Sequence, residues 1–415
     1  MKNTAIDPDV APDAVIPADA GIQSNQASGF RVQPGMTIEG RALNTATLET
    51  PASLARTIRH TPWRARHLHW LMQDLAGVAR QPEQDHRTHL RATLEWMCRA
   101  QDACRTTADS GCVAAGFTFG SGWLPANADT TGRLIETLLP AADYLAWPVL
   151  VDRAHAMLDA LLAQADAGSA GRIHGLIAGH VQLGRSECLA RAVRSSQALA
   201  DAPMASLVQH AQAAHALAAV GVIAGESSLL DAAHRHLATV LAHQTPCGWF
   251  PAAVVPVSTF LLSDILHSLI QASRLLDNAS VHQSALKAGH GLRSHLRDDG
   301  WLAGAFDDGW MPAAPHVCVT GLAQLAVCWL RLAHITQDAS WRDAAWRALA
   351  WIKRNQRTMG DDLALRDALP SAVPIWSGPA AFGFETLSAK YFADALMMDM
   401  VGISIPPEVP GVRHA

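Results

Sequence analysis

The residues whose type and spacing could do chemistry are few. Asp307 and Asp308 lie in the segment FDDGW, between two Gly-Trp turns. Paired carboxylates beside aromatic faces suit acid/base work on a glycosidic bond, and two like charges held close push one pKa up and leave a proton donor. A solvated turn is the competing reading, since Asp and Gly favour turns. Asp129 lies in NADTTGR, just ahead of a helix beginning near Arg133. An N-cap accounts for it, and so does a catalytic carboxylate. His316 and Cys318 form HVC before another helix. One His, one Cys and a nearby Asp are too few and too loosely spaced to predict zinc, so no metal and no cofactor is expected. A histidine lining a sugar pocket and a satisfied structural histidine both remain open.

Gln324 sits one turn into CVTGLAQLAV with Thr320 on the same face. A buried glutamine must find partners, which a sugar hydroxyl or a neighbouring helix end supplies. Glu385, Lys390 and Asp394 follow PIWSGPAAFG. Lys390 and Asp394 make an i,i+4 pair, usually a surface or helix-packing feature, and Lys390 is also suited to a sugar carboxylate. The chain has 13 Trp against 2 Tyr. Trp123, Trp249, Trp301 and Trp310 follow glycines in or near turns, where an indole either packs over its own hairpin or rims a sugar-binding mouth.

These residues are carried by a helical chain. Leu207, Val208, Ala211, Ala214, Leu217 and Ala218 recur at helical spacing, as do Leu230, Ala233, Leu237, Val240 and Leu241. GVIAGESS between them is a stop and a new start, so the unit is a helical hairpin. Breaks near Gln101, Gln164, Gln244, Asp299 and Gln356 mark its recurrence, about six hairpins from 90 to 400. Only 254–257 has β character, and prolines interrupt it. A linear solenoid and a closed toroid fit this periodicity equally.

At 415 residues, 49% hydrophobic and 17% charged, the chain is charge-poor, which excludes disorder as its main state. A net charge of −5 argues against nucleic acid. No run reads as a membrane span or a secretory signal. Seven cysteines without a CxxC pair fit small buried hydrophobes in a reduced, cytoplasmic protein. Residues 1–50, rich in Asp, Pro, Ala, Gly and Thr, read as a flexible leader. Within it AVIPADAGIQ resembles translated bacterial intergenic repeats, which would place the true start downstream. Residues 54–402 read as one domain and 403–415 as a flexible tail.

The paired helices with Gln…Gly-Trp breaks resemble the squalene-cyclase/prenyltransferase repeat superfamily. Within it the chain is similar to VpsJ-like polysaccharide biosynthesis proteins of bacterial exopolysaccharide clusters. LEWMCRAQDA, LPANADTTGRLIETLL, DGWLAGAFDDGW, CVTGLAQLAVCWLRL and VPIWSGPAAFGFETLSAKYFADAL carry the resemblance, spanning about 90 to 400. It implies an all-α, terpenoid cyclase-like fold: a closed α/α toroid, an (α/α)6-like barrel with Gly-Trp loops. It also implies a glycan or glycan precursor bound in a Trp-rimmed central cavity, with polysaccharide-assembly proteins as partners. If the protein is an enzyme, hydrolysis, elimination and epimerisation stay open, with Asp129, Asp307 and Asp308 as acid/base groups. Trp123, Trp249, Trp301, Trp310, His316, Thr320, Gln324 and Lys390 are then the substrate-binding set. The family glutamate before Thr-Thr-Gly is Asp129 here. Two further family segments read Ile-His-Gly-Leu and STFLLS, which predicts a pocket partly stripped of polar groups. A non-catalytic scaffold of the assembly machinery is one alternative and an isoprenoid-handling enzyme another. The second lacks an Asp-x-Asp-Asp acid. Phosphate-loop, dinucleotide and nucleophile-elbow motifs are also missing.

Overall fold

The computed structural model describes residues 65–76, 81–165 and 168–401. The expected leader and tail lie outside them. Thirteen helices occur among the described residues. α1 (Ala65–Leu75) precedes a strict alternation of two helix layers. The inner layer holds α3 (Ala128–Leu145), α5 (Ala170–Leu183), α7 (Leu207–Ala224), α9 (Thr259–Leu275), α11 (Val319–Thr336) and α13 (Thr386–Val401). The outer layer holds α2 (His86–Asp102), α4 (Val149–Ala163), α6 (Ser186–Ala200), α8 (Ser227–His243), α10 (Ala279–Arg293) and α12 (Ala339–Asn355).

Each inner helix packs on the next, from α3 through α5, α7, α9 and α11 to α13, and α13 returns to α3. The outer helix α2 seals that last seam against α13. The hairpins therefore close into a six-hairpin α/α toroid, which settles the choice that periodicity left open.

Helix boundaries follow local chemistry. Ser206 caps α7 through the Gln209 amide, and Gly225 ends it in the left-handed region at φ 70°. Inner helices are buried on both faces, so α7 and α11 read as apolar throughout. Each is 18 residues long, with hydropathies of 1.3 and 1.2, long and apolar enough to cross a membrane by composition alone. That departs from the sequence expectation. Enclosure between the ring interior and the outer layer accounts for their hydropathy, as 56% and 78% of these windows are buried.

Links from inner to outer helices are two- or three-residue turns, so every long loop stands on one face, at the inner-helix N-termini. These loops carry short strands, more than the sequence signals. β1 (Gly116–Thr118) pairs antiparallel with β2 (Gly122–Trp123) and with β8 (Gly383–Glu385). β3 (Val257–Ser258) pairs with β4 (Ala305–Asp307), and β4 with β5 (Met311–Pro312). β6 (Val317–Cys318) pairs with β7 (Ala372–Val373). The ladders tie four successive long loops together. The loop entering α7, 201–206, is short and carries no strand.

The recurrent glutamines are structural. The Gln244 amide donates to Gly248 O at 3.1 Å and to Ser284 O on the next outer helix at 2.9 Å. Gln101 makes the matching pair with Gly111 O and Arg153 O. Gly248 has φ 87°, and a Cβ there would lie 2.7 Å from the Lys287 carbonyl, so the turn presses bare backbone onto the next outer helix.

Candidate site in the ring interior

The interior of the ring is polar. Arg133, Gln212, Asp264, Gln324 and Tyr391 each stand at the sixth position of their inner helices, counting from Ala128, Leu207, Thr259, Val319 and Thr386. Equal depth on parallel helices brings them into one rung. Asp264 accepts from Gln324 Nε2 at 2.9 Å and from Gln212. Ser263 Oγ donates to Gln324 Oε1 at 2.7 Å. Arg133 donates to Tyr391 Oη at 3.0 Å, and its Nη1 lies 3.8 Å from Asp264. The rung is thus linked across the ring by hydrogen bonds and the Arg133–Asp264 ion pair.

Asp129 extends it to the helix α5. The sequence reading as N-cap of its own helix is corrected: α3 begins at Ala128, and Asn127 Oδ1 caps it through the Thr130 amide. Asp129 instead accepts from Arg133 Nε at 2.8 Å, from Ser169 Oγ at 2.7 Å and from the Gly171 amide at 2.7 Å. The contact requires glycine, because a Cβ on Gly171 would fall 2.7 Å from Asp129 Oδ1. Burial raises the Asp129 pKa, but the Arg133 charge and these three donors outweigh it and hold it down to about 2.

A second rung lies one turn deeper. Glu136, His215, His267 and Asp394 occupy the ninth positions of α3, α7, α9 and α13. His174 joins them, its ring 4.1 Å from that of His215 and its Nδ1 3.9 Å from Glu136 Oε1. The His267 ring lies 5.9 Å from His215 and 6.1 Å from Tyr391. Burial pushes Glu136 up to about 7 despite Lys390 nearby. It also lowers His174 to about 3, with Arg133 adding to the effect, and depresses His215 and His267 strongly. Burial therefore favours the uncharged form of all three imidazoles. Arg133, Glu136, His174, His215 and His267 keep 6–8% exposure, whereas Leu134, Ile135, Ile173 and Leu176 beside them keep none.

Thr320, Gln324 and Lys390 from the sequence set belong to this interior. Thr320 Oγ1 bonds Glu385 Oε2 and Ser388 Oγ, both at 2.6 Å. Glu385 is half-buried immediately before α13, and burial raises its pKa against the Thr320 hydrogen bond. Lys390 is buried against Asp394, which also accepts from Thr137 Oγ1 at 2.7 Å, so this i,i+4 pair is an interior pair rather than a surface one.

The other sequence-selected residues lie elsewhere. Asp307 and Asp308 are exposed in the loop before α11, at the rim nearest α9, across the ring from α3. Asp308 Oδ1 accepts the Trp249 indole N–H at 3.1 Å. Trp249 and Trp310 are buried edge to face at 5.1 Å, and Trp310 donates to Cys247 O while packing over Gly291 of α10. Trp301 lies under Arg297, and Trp123 packs on Trp96 of α2. Trp310 thus covers the outer helix α10, and Trp123 packs between Trp96 of α2 and Phe117 of β1. His316 packs on Gly304 and Gly378.

The expected loss of pocket polarity is also corrected. Ile-His-Gly-Leu supplies His174, and STFLLS supplies Ser263 next to Asp264. Sequence reasoning missed Arg133, Glu136, His174, His215, Asp264, His267 and Tyr391. A shared register from each helix start was the signal that could have found them.

No protein-family model and no curated protein sequence matches the chain. Solved structures do resemble it. The unsaturated glucuronyl hydrolase of Bacillus sp. GL1 superposes with a TM-score of 0.63 at 13% identity, over 78% of this chain and 100% of that one. A sugar epimerase from a ruminal bacterium gives 0.57 at 13%, over 76% and 100%. Cellobiose 2-epimerase from Bacillus thermoamylovorans gives 0.58 at 10%, over 74% and 98%. These similarities establish the α/α-toroid fold.

Proposed function

We propose that the chain binds and chemically modifies a glycan or glycan precursor inside the ring, entering from the face of the inner-helix N-termini. The observation that carries this is the polar double rung on an α/α toroid whose structural neighbours are named for sugar hydrolysis and epimerisation. A scaffold would fill its centre with Leu and Ala, and an isoprenoid enzyme would line it with dry aromatic surface. Here the interior offers carboxylates, amides, imidazoles and a phenol.

Asp129 and Glu385 are the acid/base pair of this reading. Their environments push their pKa values apart, so one carboxylate stays ionised while the other is biased towards holding its proton. Asp129 takes a proton or steadies developing positive charge, and Glu385 gives one to a leaving or enolic oxygen. Hydrolysis, elimination and epimerisation all use such a pair. From the VpsJ-like resemblance we assign the activity to surface-polysaccharide biosynthesis in the cytoplasm, alongside assembly proteins. Incubation with oligosaccharides of the source cell's polysaccharide, followed by proton NMR, tests it. New reducing ends, an unsaturated sugar or inverted stereochemistry would each support the reading. No product together with no calorimetric binding would refute it.

A further inference from the structure

We infer that the site takes an uncharged sugar ring and rejects uronate, an inference that rests on the glycan reading above. An acidic sugar needs a free guanidinium, an ammonium or an open helix N-terminus to receive its carboxylate. Around the first rung the structure commits Arg133 and Lys390 to its own acids, and the starts of α3, α5, α7 and α9 to its own side chains. Arg133 is held by Asp129 at 2.8 Å, faces Asp264 at 3.8 Å and donates to Tyr391. Lys390 is closed onto Asp394. The Gly171 amide at the start of α5, where an anion would otherwise dock, is occupied by Asp129. At the starts of α3 and α9, Asn127 and Ser258 fill the same role. The more exposed ionisable groups here, Asp129 and Glu385, are acids. A sugar entering this face meets hydrogen-bond acceptors suited to hydroxyls, and a second carboxylate would sit against Asp129, whose counter-charge Arg133 is already shared with Asp264 and Tyr391.

The test is saturation-transfer NMR and calorimetry on the full chain with matched glycosides. Each pair differs only at C6: glucosyl against glucuronyl, galactosyl against galacturonyl, as methyl glycosides and as disaccharides. The uncharged member is expected to bind at least tenfold more tightly. Asp129→Asn, which removes one of the two acid charges opposing Arg133 while keeping an acceptor for Gly171, is expected to narrow that ratio by improving uronate binding. Equal or tighter binding of uronates to the wild-type chain overturns the inference and leaves the glycan reading standing. Binding of neither member in any pair overturns both.

Discussion

The Asp129 carboxylate accepts the Gly171 amide at 2.7 Å, so a side chain from one inner helix caps the N-terminus of the next. The same carboxylate anchors Arg133, which reaches Tyr391 of α13 on the opposite flank of α3. One acid thereby sets the geometry of three neighbouring inner helices. Asp129→Asn keeps the acceptor and removes the charge. It is expected to lower turnover about 100-fold or more, the usual contribution of a positioned acid or base. Asp307→Asn, at an exposed loop position, is expected to change turnover less than about twofold. Steady-state kinetics on the two variants separates them.

Asp264 is 1% exposed and receives two amides beside Arg133. Asp264→Leu leaves a buried guanidinium with one fewer acid and two amides unmatched. The expected loss is roughly 3–5 kcal/mol. Asp264→Asn keeps part of the network and is expected to lose about 1–2 kcal/mol. Urea titration reads both.

The interior also predicts a pH signature. The three buried imidazoles have folded pKa values below 6.5, so the unfolded chain binds more protons and their stabilisation is lost as pH falls below about 6.5. Glu136 acts oppositely. Its folded pKa of about 7 exceeds the unfolded 4.5, so its contribution is present at low pH and declines as pH rises between those values. The three imidazoles outweigh the raised carboxylates Glu136 and Glu385, and stability rises from pH 4.5 to 6.5. Glu136→Gln removes the opposing proton and is expected to steepen that rise by about 1.4 kcal/mol per pH unit. Denaturation midpoints measured across the window check the slope.

The Gln-Gly-Trp turn is tested at Gly248, where φ is 87° and the Lys287 carbonyl closes the space. Gly248→Ala is expected to cost more than about 2 kcal/mol, against about 1 kcal/mol for Gly184→Ala, where φ is 67° and no atom lies within 4 Å. Thermal melts of both variants, compared side by side, show whether the close approach or the φ angle dominates.

The fold was legible because its signal is local. Helix period, glycine stops and Gly-Trp turns all lie within a few residues, and Ser206, Gly225 and the Leu/Ala spacing of α7 and α8 locate one hairpin. Closure was not legible in the helix periodicity, since the seam between α13 and α3 joins the ends of a long chain, and it was the family resemblance that implied it. Thr320, Gln324 and Lys390 were visible as polar residues on apolar helices. Arg133, His174 and Asp264 looked like ordinary helix residues, because only the ring's register puts them at one depth. The Gly-Trp turns drew attention to the rim, where Trp249 and Asp308 satisfy each other.

The most direct test of a glycan-binding interior follows the ring signals of His174, His215 and His267, assigned by single His→Asn variants, as glycan is added. Saturable shifts of all three at one common affinity, lost in Asp129→Ala, are the predicted result. Unmoved signals at saturating glycan, with shifts confined to tryptophans of the outer loops, would contradict the account.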